Sequence, residues 1–163
     1  MCLPLAVLFI LAGCGSSTKP QAAAVKHLQG PGFGFSVPAG WTVRRGTGVL
    51  AAQSGTATVS ATTFTLLKPY DPSLFAKVTA ELDRNAAKLA AQAHATLTEK
   101  ATTTVAGRKV RAYRYTAGGY ATRLGFVLDG KREVQLLCRA PAGSADPDGA
   151  CSLLFRSFTL RSP

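Results

Sequence analysis

The sequence is short of carboxylates. Eight Asp and Glu stand against nineteen Lys and Arg in 163 residues, a formal net charge of +11. Paired carboxylates for general acid–base work are therefore scarce. Glu81 and Asp83 are two apart and do not share a helix face. Asp146 and Asp148 fall in a loop without the EF-hand pattern, so they suit at most weak cation binding. Histidine is scarcer still, with only His27 and His94. His27 falls in an N-terminal polar stretch, and His94 falls at a helix end, where a cation suits the dipole. The many Ser and Thr lack a G-x-S-x-G elbow. Gly30-Pro31-Gly32-Phe33-Gly34 is not a phosphate loop, because no Lys-Ser/Thr follows and a strand pattern comes next. No catalytic constellation, metal or cofactor is expected. No apolar run reaches the ~20 residues that cross a bilayer as a helix.

What is present is a short apolar run, Leu3 to Leu11, leading into Leu11-Ala12-Gly13-Cys14 and then a polar stretch from Gly15 to Gln21. The run has the length of a signal-peptide core. The four residues resemble a bacterial lipobox, in which the thiol of Cys14 receives a diacylglycerol and the chain is cut just before it. The one departure is the absence of Lys or Arg ahead of the run. The competing reading is a buried N-terminal strand with a free cysteine. The lipobox reading makes residues 1–13 a lipoprotein signal peptide and 14–31 the lipidated Cys14 with its flexible tether, in which Ala22 to Leu28 forms a helical turn or two. Residues 32–163 are then the folded domain. One acyl chain anchors only marginally, each buried methylene contributing ~0.8 kcal/mol, so two chains on Cys14 hold the protein to the membrane for long times.

Four cysteines occur: Cys2, Cys14, Cys138 and Cys151. Processing removes the first and lipidates the second, leaving one pair in an oxidising compartment. The intervening Arg139 to Ala150 is rich in Pro, Gly, Asp and Ser and reads as an exposed loop. A Cys138–Cys151 disulfide closing it contributes ~3 kcal/mol in the chain-entropy model. A metal or redox pair is the alternative, disfavoured because the spacing is not C-x-x-C and no histidine lies near.

The basic excess draws a secreted protein toward polyanions such as acidic lipid headgroups or envelope polymers. The charges are nonetheless dispersed, the densest cluster being Arg108, Lys109, Arg111 and Arg114. No nucleic-acid motif is present, and the expected compartment argues against nucleic acid as a partner.

The hydrophobic period changes twice along the chain. Phe33 to Val37 alternates as a strand and stops at Pro38-Ala39-Gly40, with Trp41 packing into the core beyond the turn. Thr42 to Arg45 and Val49 to Gln53 read as short strands, and Thr56 to Leu67 as a long one. Val59 and Phe64 have opposite parity, which predicts a bulge near Thr62. Phe75, Val78, Leu82, Ala86, Leu89 and Ala93 then form one helical stripe. Asp71 is a natural N-cap and Pro72 suits the first helical position, so a helix is expected from Pro72 to about Gln92. Four strands follow: Ala95 to Val105, Arg108 to Thr116, Tyr120 to Leu128 and Arg132 to Arg139. Ala106-Gly107, Gly118-Gly119 and Asp129-Gly130 join them as an antiparallel meander. Asp148 is expected to cap a short helix from Gly149 to Phe155, with Cys151, Leu154 and Phe155 inward. Phe158 to Leu160 closes the domain. The pattern is α+β: one domain, an antiparallel sheet against one long and one short C-terminal helix.

Phe35-Ser36-Val37-Pro38-Ala39-Gly40-Trp41, the long helix, the meander and the terminal Arg156-Ser157-Phe158-Thr159-Leu160 come in an order that resembles the PsbP-like fold. The order is also similar to small actinobacterial lipoproteins thought to share that fold. The resemblance spans about Phe33 to Leu160 and implies an antiparallel sheet with helices against it. It carries over no catalytic motif and no activity.

One surface stands out. Lys109, Arg111, Tyr113 and Tyr115 share a strand face by period two, and Arg123 on the next strand joins them if the register allows. Arg and Tyr together suit an interface or anionic headgroups. The competing reading puts the tyrosines under the helix and leaves the basic groups in solvent. The reading preferred is a non-enzymatic binding or accessory lipoprotein on the extracytoplasmic face of the cell membrane. It is held there by the lipid on Cys14 and binds an anionic lipid, an envelope polymer or a protein partner. An enzyme or enzyme accessory acting on envelope substrate, or a structural spacer, are the alternatives. A deep pocket joining Arg108, Arg114 or Arg123 to a perturbed carboxylate would mark the enzyme. A flat basic face bearing tyrosines would mark the binding module.

Overall fold

The computed structural model describes residues 24–144 and 146–161. Cys14, the expected signal peptide and the tether up to residue 23 lie outside the described residues. Among the described residues, ten strands and two α-helices follow one another in the order β1 Val25–Gly30, β2 Phe33–Pro38, β3 Thr42–Gly46, β4 Val49–Ser54, β5 Ala57–Thr65, α1 Phe75–Gln92, β6 Thr96–Val105, β7 Arg108–Ala117, β8 Tyr120–Asp129, β9 Arg132–Pro141, α2 Ala150–Ser157 and β10 Thr159–Leu160. They build two antiparallel sheets, a large one ordered β3-β4-β5-β9-β8-β7-β6 and a small one ordered β1-β2-β10. This is the expected α+β architecture, with the predicted meander running β9-β8-β7-β6.

The first strand corrects the expected domain boundary. Val25–Gly30 was expected within a tether that turned as a helix up to Leu28, but it is a strand paired with β2, Leu28 opposite Phe35. Pro31 fixes one φ of the connecting turn and Gly32 takes φ +76°, the combination a tight turn requires. Folding β1 back removes Leu28 from water, to 1 % exposure. That burial outweighs the weak helical preference of the Ala-rich segment before it.

The core lies between one face of the large sheet and a layer made of the small sheet and α2. Phe33, Phe35 and Val37 of β2 form one buried cluster with Val59, Ala61, Val127, Val134 and Leu136 of the large sheet and with Leu154, Phe155 and Phe158. Trp41 is buried as expected, at the end of the core where Cys138 and Cys151 also lie. Their disulfide, with Cα atoms 5.5 Å apart, ties β9 to α2.

Two local expectations change. The register of β5 on β9 runs unbroken from Thr58 opposite Arg139 to Thr65 opposite Arg132, so no bulge occurs near Thr62. Val59 and Phe64 differ in parity because both sheet faces carry apolar groups. Val59 faces the core, and Phe64, 47 % exposed, faces the other side. The irregularity falls instead on the edge strand, between Leu97 and Glu99 of β6. The side chain of Asp148, the expected cap of α2, lies outside the described residues, and the start of that helix is capped by Asp146. It accepts the N–H of Cys151 at 2.6 Å and of Ser152 at 3.2 Å, and takes the hydroxyl of Ser152 as well. Asp146 reaches past a 3-10 turn, Pro147–Gly149, that the sequence pattern did not reveal.

Helix α1 begins as predicted. Asp71 accepts the N–H of Ser73 at 2.8 Å, Pro72–Leu74 forms a 3-10 turn, and the α-helix runs on to Gln92. His94, just past the helix end, adopts a left-handed conformation, φ +49°. The helix lies across the second face of the large sheet, over β6 and β7.

Candidate functional site

Pairing fixes which side chains share a face. Arg111 stands opposite Phe126, Tyr113 opposite Leu124 and Tyr115 opposite Thr122, while Lys109 stands opposite Thr104. The four predicted residues of β7 therefore share one face, and it is the face that α1 crosses. The helix is held there by a carboxylate. Asp83 accepts Nε–H and Nη2–H of Arg111, each at 2.8 Å, in the two-pronged geometry that suits guanidinium. Its Oδ1 also accepts the phenol O–H of Tyr113 at 2.7 Å. The bond from Arg111 holds the Asp83 carboxyl below its ordinary range. Burial, followed by the adjoining Asp83, pushes the Tyr113 phenol well up. Phe126 packs edge-on against Tyr113, and the Lys109 ammonium sits 5.9 Å from the Phe75 ring centre.

The basic, Tyr-bearing face is thus not an open surface. Tyr113 is 1 % exposed, and Arg111 is joined to the helix. Asp83 is the residue that sequence reasoning missed, having been read only as a carboxylate that shares no helix face with Glu81. A signal was available: Asp83, Ala86 and Ala90 recur at three and seven residues, alongside the apolar stripe.

Beyond this clamp, toward the end of α1, helix and sheet part. A cleft of about 280 Å³ opens between Ala86, Leu89 and Ala93 on the helix side and Tyr113, Tyr115 and Leu124 on the sheet. Its lining is almost wholly apolar. Leu89, the largest helix side chain on it, is 62 % exposed.

Arg123 does not join the β7 group. It pairs in register with Arg114 and Cys138, which puts it on the core face of the sheet. Its guanidinium stacks 4.0 Å from the centre of the Phe155 ring. Burial, then the charge of Arg114, lowers its pKa. A second cleft, about 200 Å³, lies here beside α2, lined by Arg114, Arg123, Thr98, Thr116, Asp146 and Ser152 among others.

The remaining basic cluster is paired. Arg108 and Arg132 bind Asp129 at 2.8 and 2.9 Å, and Arg114 binds Glu99 at 2.8 Å. Arg132 also donates to the carbonyls of Gly32 and Arg161, clasping the end of the small sheet where β2 starts and β10 ends. The carboxylates with shifted acidity, Asp71, Asp83 and Asp129 downward and Glu133 upward by burial, line neither cleft. Among the described residues no three His, Cys, Asp or Glu gather as metal ligands. No helix of the described residues is long and apolar enough to cross a membrane.

No protein-family model matches the sequence, and no curated protein matches it. Solved structures do. The solution structure of cyanobacterial PsbP (CyanoP) from Synechocystis superposes with a TM-score of 0.61 at 13 % identity, covering 92 % of this chain and 98 % of that one. A Bacteroides thetaiotaomicron crystal structure gives 0.57 at 14 % identity, over 84 % of this chain and 48 % of its own. The crystal structure of LpqN, involved in cell envelope biogenesis of Mycobacterium tuberculosis, gives 0.54 at 12 % identity, over 85 % and 92 %. At such identities the likeness concerns the fold: this chain has the PsbP-like fold.

Proposed function

We propose that this protein is a lipid-anchored, non-catalytic binding module on the extracytoplasmic face of the cell membrane. In this reading Cys14 carries the anchor and the domain receives the apolar part of an envelope lipid between α1 and the sheet. The observation that carries the reading is the cleft beneath α1. A polar clamp at Asp83 holds the helix near its middle, and the open half presents small and aliphatic side chains with no base or nucleophile beside them. Aliphatic lining with few polar groups is what an apolar ligand selects. The Leu11-Ala12-Gly13-Cys14 motif and the Cys138–Cys151 disulfide support an extracytoplasmic address. The fold shared with LpqN, which is involved in cell envelope biogenesis of Mycobacterium tuberculosis, is in keeping with it.

An enzyme reading draws on the cleft at Arg114 and Arg123, where arginines do converge. No carboxylate of shifted acidity lines that cleft; a shallower one of about 550 Å³ does join Arg108 and Arg132 to Asp129, but both arginines are paired with that carboxylate and hold it ionised, so it offers no base and binding is the better reading.

Two experiments test it. Cys14→Ala should move the protein out of the membrane fraction, and unchanged partition with normal processing would refute the anchor. A photo-crosslinking residue at Leu89, used in intact cells, should give a recurrent lipid adduct. Adducts no more frequent there than at exposed Lys88 would refute the cleft as a lipid site.

A further inference from the structure

Three arginines of the described residues are partly buried: Arg111, Arg123 and Arg132. Two of them are neutralised, Arg111 by Asp83 and Arg132 by Asp129. Arg123 forms no ion pair with a described carboxylate, and its guanidinium donates no hydrogen bond to a described residue. A partly buried charge without a counter-charge is costly. Stacking on Phe155 at 4.0 Å covers one face of the guanidinium and offsets part of that cost. Its N–H edges remain free and border the cleft beside α2.

Arg114 aggravates the imbalance. It stands directly opposite Arg123 on the same face, and like charges in that position repel. Glu99 accepts from Nε of Arg114 and leaves the other donors of that guanidinium available. Asp146, the other carboxylate of the cleft, is engaged with Cys151 and Ser152 at the start of α2. Thr98 and Thr116 add hydroxyls to the lining. The result is a small basin with two guanidinium groups side by side, in which Glu99 and Asp146 attract Arg123 only through space and neither pairs with it directly.

We propose that this cleft binds a phosphate group, with Arg123 as the anchoring residue and Arg114 as the second arm. A tetrahedral oxyanion accepts from two guanidinium forks at once and relieves their repulsion. A cleft of about 200 Å³ admits one such group, free or carried on a lipid headgroup. Arg114 and Arg123 lie on the sheet face opposite the apolar cleft, Tyr115 bordering both clefts, and phosphate binding there needs neither the anchor nor an occupant of the apolar cleft.

The test is a titration of the purified protein with inorganic phosphate at constant ionic strength, chloride replacing it in the reference, followed by backbone amide shifts. Saturable shifts are expected at Thr122, Arg123 and Ser152, with a Kd on the order of 1 mM. Arg123→Gln should weaken binding about tenfold or more, equivalent to ~1.4 kcal/mol. Because Arg123 also packs on Phe155, Arg114→Gln provides a second variant that leaves that contact in place; it should weaken binding several-fold. Arg44→Gln, on the exposed edge strand β3, should change nothing. Phosphatidylglycerol vesicles, compared with phosphatidylcholine, separate the sources. Binding that inorganic phosphate competes away assigns a lipid headgroup, and phosphate binding without vesicle binding assigns a soluble phosphate. Equal shifts with chloride, shifts scattered over exposed arginines, or full binding by both Arg123→Gln and Arg114→Gln would each overturn the proposal.

Discussion

Helix α2 has eight residues and buries four of them, Ala150, Cys151, Leu154 and Phe155; helix α1 has eighteen and buries none. The short helix is a core element. Its apolar side chains enter the cluster shared by both sheets, and the disulfide fastens it to β9. The long helix is an attachment. Alanines make up most of the second half of its inward stripe, so it covers β6 and β7 without sealing them, and Asp83 supplies the directional contact. Apolar burial resists displacement over its whole area, whereas a polar clamp resists it at one point. The face under α1 is therefore the part of the molecule built to yield, and it is the face that carries the apolar cleft.

That contrast can be broken at several places. Leu154→Ala should have the largest effect, removing a side chain at 0 % exposure and costing about 2–5 kcal/mol in urea unfolding. Leu82→Ala on α1, only partly buried, should cost about 1 kcal/mol. Equal losses at the two positions would contradict the division drawn above. Removing the disulfide with the Cys138→Ser, Cys151→Ser pair should cost about 3 kcal/mol in the chain-entropy model, and the loss should appear as weaker protection of α2. Asp83→Asn comes next. It leaves Arg111 without its ion pair and weakens the bond from Tyr113, for about 1–3 kcal/mol. Hydrogen exchange should then quicken along α1 while β5, β9 and α2 keep their protection. Uniform acceleration would show that α1 belongs to the core after all.

The pH dependence sharpens the same point. Asp83 and Asp129 are both held below the ordinary carboxylate range, chiefly by hydrogen bonds from Arg111 and Arg108. Their stabilising contribution is fully present above the unfolded-state value of about 3.9 and is lost as pH falls toward their folded values. Acid unfolding should begin in that window, with α1 losing protection early, and Asp83→Asn should flatten the slope there. Glu133 has the opposite sign. Burial raises its pKa, so ionisation destabilises the fold as pH rises through the unfolded-state value. Glu133→Gln should therefore stabilise the protein at neutral pH by less than about 1 kcal/mol, the smallest effect expected here.

Much of this architecture was legible in the residues. The Asp71-Pro72 start of the helix, the Asp129-Gly130 hairpin and the alternation in β8 are local signals, each set by backbone chemistry within a few positions. The face assignments of Lys109, Arg111, Tyr113 and Tyr115 followed from the two-residue period of a strand. What that period does not say is which face a partner element covers. The same tyrosines suit an open interface or a helix bed, and only the approach of Asp83 across 28 and 30 residues of chain decides for the second. Arg123 was misplaced beside them for a related reason. Its place beside them was conditional on register, and the register of β8 on β7 puts it opposite Arg114, where one residue of slip would have reversed its face. Val25–Gly30 was missed because six mixed residues carry no period strong enough to outweigh a polar, Ala-rich neighbourhood. Its strand exists because β2 is there to pair with it.

Local signals in the residues were enough for the class of the fold and for the helix and hairpin positions, because short-range sterics and hydrophobic period act within the chain. It took the folded chain to bring Cys138 to Cys151, to rest α1 on a clamp, to complete the core with a small second sheet, and to put Arg114 and Arg123 in one cleft. Those outcomes depend on strand register and on contacts between residues far apart in sequence, where burial and charge are settled by what the rest of the chain brings alongside.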